Sequence, residues 1–324
     1  MSELQPKSVT PTVAWPEIPF DAWRETCQAL HLFTQVVGKY RLARTPWVNH
    51  SWHATLYVTP RGLTTGLVQD GELAVEVKFD FVAQQLVVEA TGGRQADFAL
   101  EPMCVADFHG RFLTTLKSVG ATPTFHGRPN ELPDPVAFRE DRQDRPWDGE
   151  AVQRFHRALV SIDRVFQEFR TSFLGKVSPV HLFWGSFDLA VTRFSGRPAP
   201  LHPGGIPALP DEVTQEAYSH EVSSAGFWPG GGPVDAPAFY SYAYPTPDGF
   251  GAGRVQPAEA YFDTAAGEFI LPYDAVRQAA DPHAALLSFL QSSYEVAADL
   301  GAWERTTLDC PNGKPLVPRP LTLR

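Results

Sequence analysis

The sequence predicts an α+β fold in which two related halves, each made of a helix, antiparallel strands and a second helix, share one core. Three observations support this prediction. Four segments have the apolar spacing of an amphipathic helix, strand-like segments come in pairs around short polar turns, and these elements occur twice in the same order.

Apolar residues recur every three or four positions in four segments, which predicts a helix with one buried face in each. These segments are residues 20–39, 105–120, 148–176 and 281–301. In the first, Asp21 can cap the start and Gly38 is expected to end the helix in the left-handed conformation. In the last, Asp281 and Pro282 form a typical helix start and Gly301 a typical end.

Strands are predicted between the helices of each half. An extended segment that ends in Val-Thr follows the first helix of each half, at residues 47–59 and 179–192. A hairpin pattern comes later in each half, at residues 76–90 and 259–273. The repeated order predicts an internal duplication, although helices and hairpins also recur in α+β proteins that arose without one.

The second half contains a connection, residues 193–260, that is rich in proline, glycine and aromatic residues. From Thr192 to Tyr261 the chain advances 69 positions, whereas the corresponding step in the first half, from Thr59 to Phe79, takes 20. Because long connections are usually functional, we expect this one to fold over the seam between the halves and enclose a polar hollow. The predicted parts are a flexible tail at residues 1–14, a first half at 15–147, a second half at 148–303 and a tail at 304–324.

The charge balance argues against some classes of partner. The chain has 27 basic and 37 acidic residues, a net charge of −10, without a dense run of lysine or arginine. Nucleic acid and anionic membrane surfaces are therefore not expected partners. We expect a soluble cytoplasmic protein, because no stretch approaches the ~18 apolar residues of a membrane span and the three cysteines are widely spaced. The oligomeric state is left open.

Residues 219–232, SHEVSSAGFWPGGG, supply most of the candidate catalytic groups. His220 is a candidate general base, Glu221 or Asp188 would orient or coordinate, and Ser224 is a candidate nucleophile. If the segment is a strand, His220 and Glu221 point to opposite faces, so they cannot share one ion without a bulge. The alternative is a histidine bonded to a loop carbonyl with no chemical role.

Further residues are candidates for a ligand site or a metal site. A divalent metal such as zinc is one candidate cofactor, held by His50, His181, His202 and His220 together with one carboxylate, which requires four segments to converge. Tyr242 is expected to share a strand face with two other tyrosines that could stack on a ligand, or that could pack under loops. The expected ligand-binding residues are Asn49, His50, Arg61, His181, Trp184, Arg193, His202, Trp228 and Tyr242.

Four strings resemble a bacterial family known only as a domain of unknown function. They are VGKYRLARTPWVNHSWHATLYVTPRGL, HGRPNELPDP, SPVHLFWGSFDLAVTRFSGR and YSHEVSSAGFWPGGG. The resemblance extends from about Trp15 to about Trp303 and implies one folded unit, but no activity and no catalytic residues.

The sequence favours a small-molecule site at the junction of the two halves, lined by histidine, glutamate and tryptophan. Whether that site belongs to a binding protein or to an enzyme is left open. A metal-dependent hydrolase that uses the clustered histidines, and a structural or interaction protein that uses the aromatic residues only for packing, are the alternatives.

Overall fold

The computed structural model describes residues 14–232 and 234–319, and within them the chain has the predicted α+β fold. The predicted N-terminal tail lies almost entirely outside the described residues. The helices are α1 (Phe20–Leu42), α2 (Val105–Ser118), α3 (Gly149–Thr171), α4 (Asp211–Ala217), α5 (Tyr273–Arg277), α6 (Pro282–Leu300) and α7 (Arg305–Leu308). The strands are β1 (Tyr57–Thr59), β2 (Gly62–Thr64), β3 (Val68–Asp70), β4 (Leu73–Asp80), β5 (Gln85–Ala90), β6 (Arg94–Ala99), β7 (His181–Phe183), β8 (Asp188–Pro198), β9 (His220–Trp228), β10 (Ala238–Tyr244), β11 (Tyr261–Asp263) and β12 (Glu268–Pro272).

The first half forms an antiparallel sheet with the order β1-β2-β4-β5-β6, and β3 pairs with β4 beside it. The predicted hairpin at residues 76–90 is β4 paired with β5. Phe33 of α1 stacks on Phe108 of α2 with ring centroids 4.1 Å apart, which fastens the two helices to each other. Offset and stacked aromatic pairs of this kind stabilise a core beyond the area that they bury.

The second half forms an antiparallel sheet with the order β11-β12-β10-β9-β8-β7. Helices α3 and α6 pack against one face of this sheet, and the opposite face carries the residues considered below. The predicted hairpin at residues 259–273 is β11 paired with β12. The long connection at residues 193–260 supplies β9 and β10, two central strands, as well as α4. The connection that was expected to cover the seam therefore forms part of the sheet itself, because β9 and β10 pair with each other in its centre.

The two halves meet along a short backbone contact and a shared core. Leu56 and Leu182 exchange two backbone hydrogen bonds of 2.9 and 2.8 Å, which join the first half to β7. Both halves place their sheet between two long helices in chain order. The internal duplication remains a prediction, since this agreement concerns only the order of elements. None of the helices in the described residues is long and apolar enough to cross a membrane.

The segment assigned to the C-terminal tail begins with α7 and returns to the core. Tyr294 of α6 donates a hydrogen bond to Asp309, and the Cys310 amide donates one of 3.0 Å to the carbonyl of Ser172. Residues 304–310 are thus attached to α3 and α6.

The two segments predicted as extended are more bent than expected. In the first, Asn49–Ser51 is a 3-10 turn with His50 in the left-handed region (φ 59°), and the backbone N–H of His50 donates to Glu216. In the second, residues 184–187 turn between β7 and β8. The sequence pattern did not indicate either bend, because alternating apolar residues carry no signal for a tight turn whose polar groups bond to distant residues.

Helix α1 continues through Gly38, the residue expected to end it, and stops at Leu42. A Cβ atom at Gly38 would overlap the indole ring of Trp184. The glycine therefore provides space for an aromatic side chain of the other half, rather than a left-handed helix end.

We expect Gly38→Ala to lower the free energy of unfolding by about 1–3 kcal/mol, because the added methyl group displaces the buried indole of Trp184. Urea denaturation measures this change. Gly110→Ala in α2 is the matched control, since nothing lies within 4 Å of its Cβ position. It should raise stability by up to about 1 kcal/mol, and equal destabilisation by both variants would contradict the assigned role of Gly38.

Candidate functional site

Three polar side chains one helical turn apart, His31, Gln35 and Lys39, follow one stripe of α1, in which His31 is half-buried and the other two are buried. The Gln35 amide donates to the Asn130 carbonyl (2.9 Å) and accepts from the Asn130 backbone N–H (2.7 Å). The Lys39 ammonium donates to the Asn130 side-chain oxygen. His31 Nε2 lies 2.8 Å from the carbonyl oxygen of Gly185. The stripe thereby holds a loop of the first half and a turn of the second half in place.

This attachment directs Glu131 toward the second sheet. Glu131 has a left-handed backbone (φ 60°), and its N–H donates to the Pro207 carbonyl (2.9 Å). Its carboxylate fills the space left by the missing side chain of Gly185, and no group in residues 14–232 or 234–319 donates a hydrogen bond to it. Burial and the charge of Asp188 raise the pKa of Glu131 to about 7, which Lys39 partly opposes.

Asp188 begins β8 on the sheet face that points away from α3 and α6. Its two carboxylate oxygens accept hydrogen bonds from the hydroxyls of Ser186 and Tyr240. Burial raises the pKa of Asp188, although both hydroxyl bonds act in the opposite direction. Asp188 is therefore a buried carboxyl whose hydrogen-bond partners are neutral.

An aromatic stack covers the same sheet face. Trp228 stacks on Tyr240 with ring centroids 4.2 Å apart, and Tyr240 stacks on Tyr242 at 6.0 Å. Gly226 lies opposite Tyr240 in the neighbouring strand, where a Cβ atom would overlap the phenol ring. The glycine lets the phenol lie across β9 toward Asp188.

A chain of hydroxyl groups continues from Tyr242 across the strands. Thr192 and Ser224 are joined by a 2.8 Å hydrogen bond, and Ser224 lies opposite Tyr242 in the neighbouring strand. The phenol oxygens of Tyr242 and Tyr218 are 2.8 Å apart. Each hydroxyl can donate or accept, so this chain adapts its proton positions to the charge of a neighbouring group.

Glu268 is the third carboxyl at this face. Its Oε2 atom is buried and has no hydrogen-bond partner among the described residues. Burial is the main reason that the pKa of Glu268 rises to about 8, and the charges of Asp188 and Asp263 add to the effect.

We use the name carboxylate–tyrosine site for Lys39, Glu131, Asp188, Tyr218, Tyr240, Tyr242 and Glu268. Its charges are unbalanced, because Asp188 interacts with both Glu131 and Glu268 while Lys39 supplies the ammonium group facing Glu131. Burial lowers the pKa of Lys39 to about 8. The site is therefore rich in hydrogen-bond acceptors and poor in donors, and carboxyls that titrate near neutral pH are a common property of functional sites.

The structure brings four of the sequence-predicted residues together on this sheet face. They are Asp188, Ser224, Trp228 and Tyr242. His202 lies beside them, with its ring stacked on Tyr218 at 4.7 Å and its Nδ1 accepting a hydrogen bond from the Gly204 N–H. As the strand pattern predicts, Tyr240, Tyr242 and Tyr244 alternate with Ser241 and Ala243 along β10.

Two further candidates, His50 and His220, approach each other at a separate place near α4. Their ring centroids are 6.2 Å apart, His50 Nε2 contacts the Lys176 ammonium, and His50 Nδ1 faces the Ala217 carbonyl. Burial and the nearby Lys176 and His220 lower the pKa of His50. The remaining polar contact of His220 is with the Ser219 hydroxyl at 3.0 Å.

The four histidines predicted as metal ligands do not converge. His181 is buried in β7, where Nδ1 lies 2.7 Å from the Pro179 carbonyl, and burial lowers its pKa to about 4. Within the described ranges, no three His, Cys, Asp or Glu side chains are grouped so that they could hold a metal ion. The separation arises because His181 lies in the edge strand β7, whereas His202 lies in the loop after β8, where its ring contacts Tyr218 and Tyr244.

The other predicted residues lie away from the carboxylate–tyrosine site. Glu221 forms an ion pair with Arg197 at 2.6 Å. Arg61 pairs with Asp80 at the β1–β2 turn, also at 2.6 Å, and Asn49 is exposed.

Trp184 and Arg193 are buried side chains that hold elements together. The Trp184 indole N–H donates to the Ala54 carbonyl at 2.6 Å, which joins the two halves. Arg193 donates to the Phe169 carbonyl and to Ser172, and its guanidinium lies over the Phe169 ring. Burial lowers the pKa of Arg193 to about 10.

Several residues of the carboxylate–tyrosine site are absent from the sequence-based candidates. Lys39 and Glu131 do lie in two of the family-like strings, VGKY and HGRPNELPDP, so those strings contained the signal. Tyr240 belongs to the alternating tyrosine pattern. Tyr218 likewise begins the family-like string YSHEVSSAGFWPGGG. Glu268 has no comparable signal, since only strand pairing brings it to this sheet face.

The sequence matches a family described as a family of unknown function, DUF5996, over residues 15–310. No curated protein and no solved structure shows significant similarity to the chain.

We expect the free energy of unfolding to fall as the pH rises from about 6.5 to 8. The folded protein keeps a proton on Glu268 up to a pKa of about 8, whereas the unfolded chain loses it near 4.5, so rising pH favours unfolding. The decline is at most about 1.4 kcal/mol for each pH unit and carboxyl. Glu268→Gln should flatten it, as measured by urea denaturation at several pH values.

Glu89→Gln is the control for this measurement, because Glu89 forms a partly exposed ion pair with Lys78 in the first sheet. Its pH dependence should match that of the unmodified protein. Parallel curves for Glu268→Gln and the unmodified protein would show that Glu268 is ionised throughout this range.

Proposed function

The chain belongs to the DUF5996 family, and we propose from the geometry of the carboxylate–tyrosine site that the protein binds a small organic cation there, an amine or a guanidinium compound. The ligand would lie between the outer face of the second sheet and the loops that carry Glu131 and Pro207. This is a function of ligand binding, which needs no metal ion.

The observation that carries the proposal is the shortage of hydrogen-bond donors at Glu131 and Glu268, which are half-buried carboxyls. Glu131 accepts no hydrogen bond from the described residues, and Glu268 Oε2 is buried without a partner. Leaving a buried oxygen such as Glu268 Oε2 unpaired costs free energy, typically about 1–3 kcal/mol. An ammonium or guanidinium group brings the donors and the positive charge that these carboxyls lack when ionised, and its binding would lower their pKa values.

The aromatic residues favour an organic cation over an inorganic one. Trp228, Tyr240 and Tyr242 form one continuous stack beside the carboxyls. Aromatic faces attract cations and also pack against the apolar part of a ligand. The hydroxyl chain from Tyr242 through Ser224 to Thr192 can bond to a further polar group of the ligand.

Entry of a ligand requires the two covering loops to separate. The hydrogen bond from the Glu131 N–H to the Pro207 carbonyl joins these loops, which come from different halves of the chain. A single backbone hydrogen bond has a net worth of only about 0.5–1.5 kcal/mol, so the loops can open at modest cost.

A second candidate function is acid–base catalysis. It is favoured by one observation, the pKa of about 7 for Glu131 beside the buried carboxyl of Asp188. A carboxyl with a pKa close to neutral pH can both accept and donate a proton during a reaction. An enzyme of this kind would release a changed ligand, whereas a binding protein would release it unchanged.

We expect tyramine and agmatine to raise the melting temperature at pH about 7.5, and tyrosol and 4-hydroxyphenylacetate to leave it unchanged. Tyramine, tyrosol and 4-hydroxyphenylacetate share one phenol and differ in charge, so the comparison isolates the ammonium group. Isothermal titration calorimetry then gives the dissociation constant, and mass spectrometry of the recovered probe detects any chemical change.

Glu131→Gln and Glu268→Gln should each weaken amine binding about tenfold, which corresponds to about 1.4 kcal/mol. Glu89→Gln, in the first sheet, should leave the affinity unchanged. Equal binding of tyramine and tyrosol, or unchanged affinity in both site variants, would refute the proposal.

A further inference from the structure

A cleft of about 430 Å³ lies in the first half, between α2 and the chain that follows it. We propose that it binds a small organic anion, a carboxylate or phosphate monoester attached to a ring or another compact apolar group. We call it the arginine cleft, and its informative lining residues are His109, Leu113, Phe125, His126, Arg128 and Arg139. This inference does not depend on the proposed cation site.

The charges of the arginine cleft are positive. Its lining contains Arg128 and Arg139 but no aspartate or glutamate, although the whole chain has a net charge of −10. Arg128 is exposed and forms no hydrogen bond or ion pair with any residue in 14–232 or 234–319. Arg139 contacts Glu140 at 3.3 Å in a solvent-exposed pair. Exposed pairs contribute little, so both guanidinium groups are available to an anion.

The floor of the cleft is apolar and firmly held. The ring of His109 lies edge-on to Phe125 (5.6 Å) and beside Phe138 (5.9 Å). The Phe138 N–H donates to the Gly127 carbonyl at 2.9 Å, which fixes the loop that carries Arg128. Leu113 and Phe125 offer apolar surface to the body of a ligand. The combination of an apolar floor and an arginine rim selects an anion that has an apolar part.

A second cleft beside α2 provides an internal comparison. It has a volume of about 590 Å³ and is lined by Arg111 and Arg142. Each of these arginines forms an exposed ion pair, Arg111 with Glu101 at 2.7 Å and Arg142 with Asp107 at 3.3 Å. Asp107 itself lines that cleft. The two clefts therefore differ in their lining, because the second contains a carboxylate beside its arginines and the arginine cleft contains none.

Binding is tested on the full chain by isothermal titration calorimetry with phenyl phosphate, benzoate, inorganic phosphate and benzyl alcohol. We expect phenyl phosphate or benzoate to bind, inorganic phosphate to bind at least tenfold more weakly, and benzyl alcohol not to bind. Preference for phenyl phosphate identifies a phosphate monoester as the ligand class, and preference for benzoate identifies a carboxylate.

The double variant Arg128→Gln, Arg139→Gln should weaken binding of the preferred anion at least tenfold. Arg111→Gln, in the second cleft, should leave the affinity unchanged. Arg128→Lys keeps the charge and should retain most of the binding, and circular dichroism confirms that each variant is folded. The proposal is overturned if neither organic anion binds saturably, if inorganic phosphate binds as tightly as phenyl phosphate, or if Arg111→Gln has the same effect as the double variant.

Discussion

The paired hydrogen bonds between the Gln35 side chain and the backbone of Asn130 hold the carboxylate–tyrosine site together. Gln35 is fully buried on α1, so its amide has few alternatives to this partner. The bonds fix the position of the next residue, Glu131, which extends from the first half to the second sheet. Without them, the loop would lose the attachment that directs this carboxylate toward Asp188.

The carboxyls of the carboxylate–tyrosine site lower the stability of the folded protein. Burying Glu131, Asp188 and Glu268 near one another, with Lys39 as the facing cation, raises the pKa of each carboxyl. A protein selected only for stability would replace such groups with apolar residues. Local conflict of this kind, in a fold that is otherwise well packed, is typical of functional sites.

Much of the secondary structure and part of the site could be predicted from the sequence. Pleating of β10 places Tyr240, Tyr242 and Tyr244 on one face, and alternation in β9 separates His220 from Glu221. Asp188, Ser224, Trp228 and Tyr242 were predicted as site residues and do share one sheet face. The four histidines predicted as metal ligands do not form a common site among the described residues, because turns and strand order decide their positions.

The sequence by itself determined the four longest helices, the hairpins at residues 76–90 and 259–273 and the alternation of faces along β9 and β10, since these follow from periodicities over a few neighbouring residues. Only the tertiary structure decided that Gly38 continues a helix to accommodate Trp184, and that residues 193–260 provide central strands. It also decided that Glu131 meets Asp188. The physical reason is that these contacts join residues far apart in the chain, and local spacing carries no information about such partners.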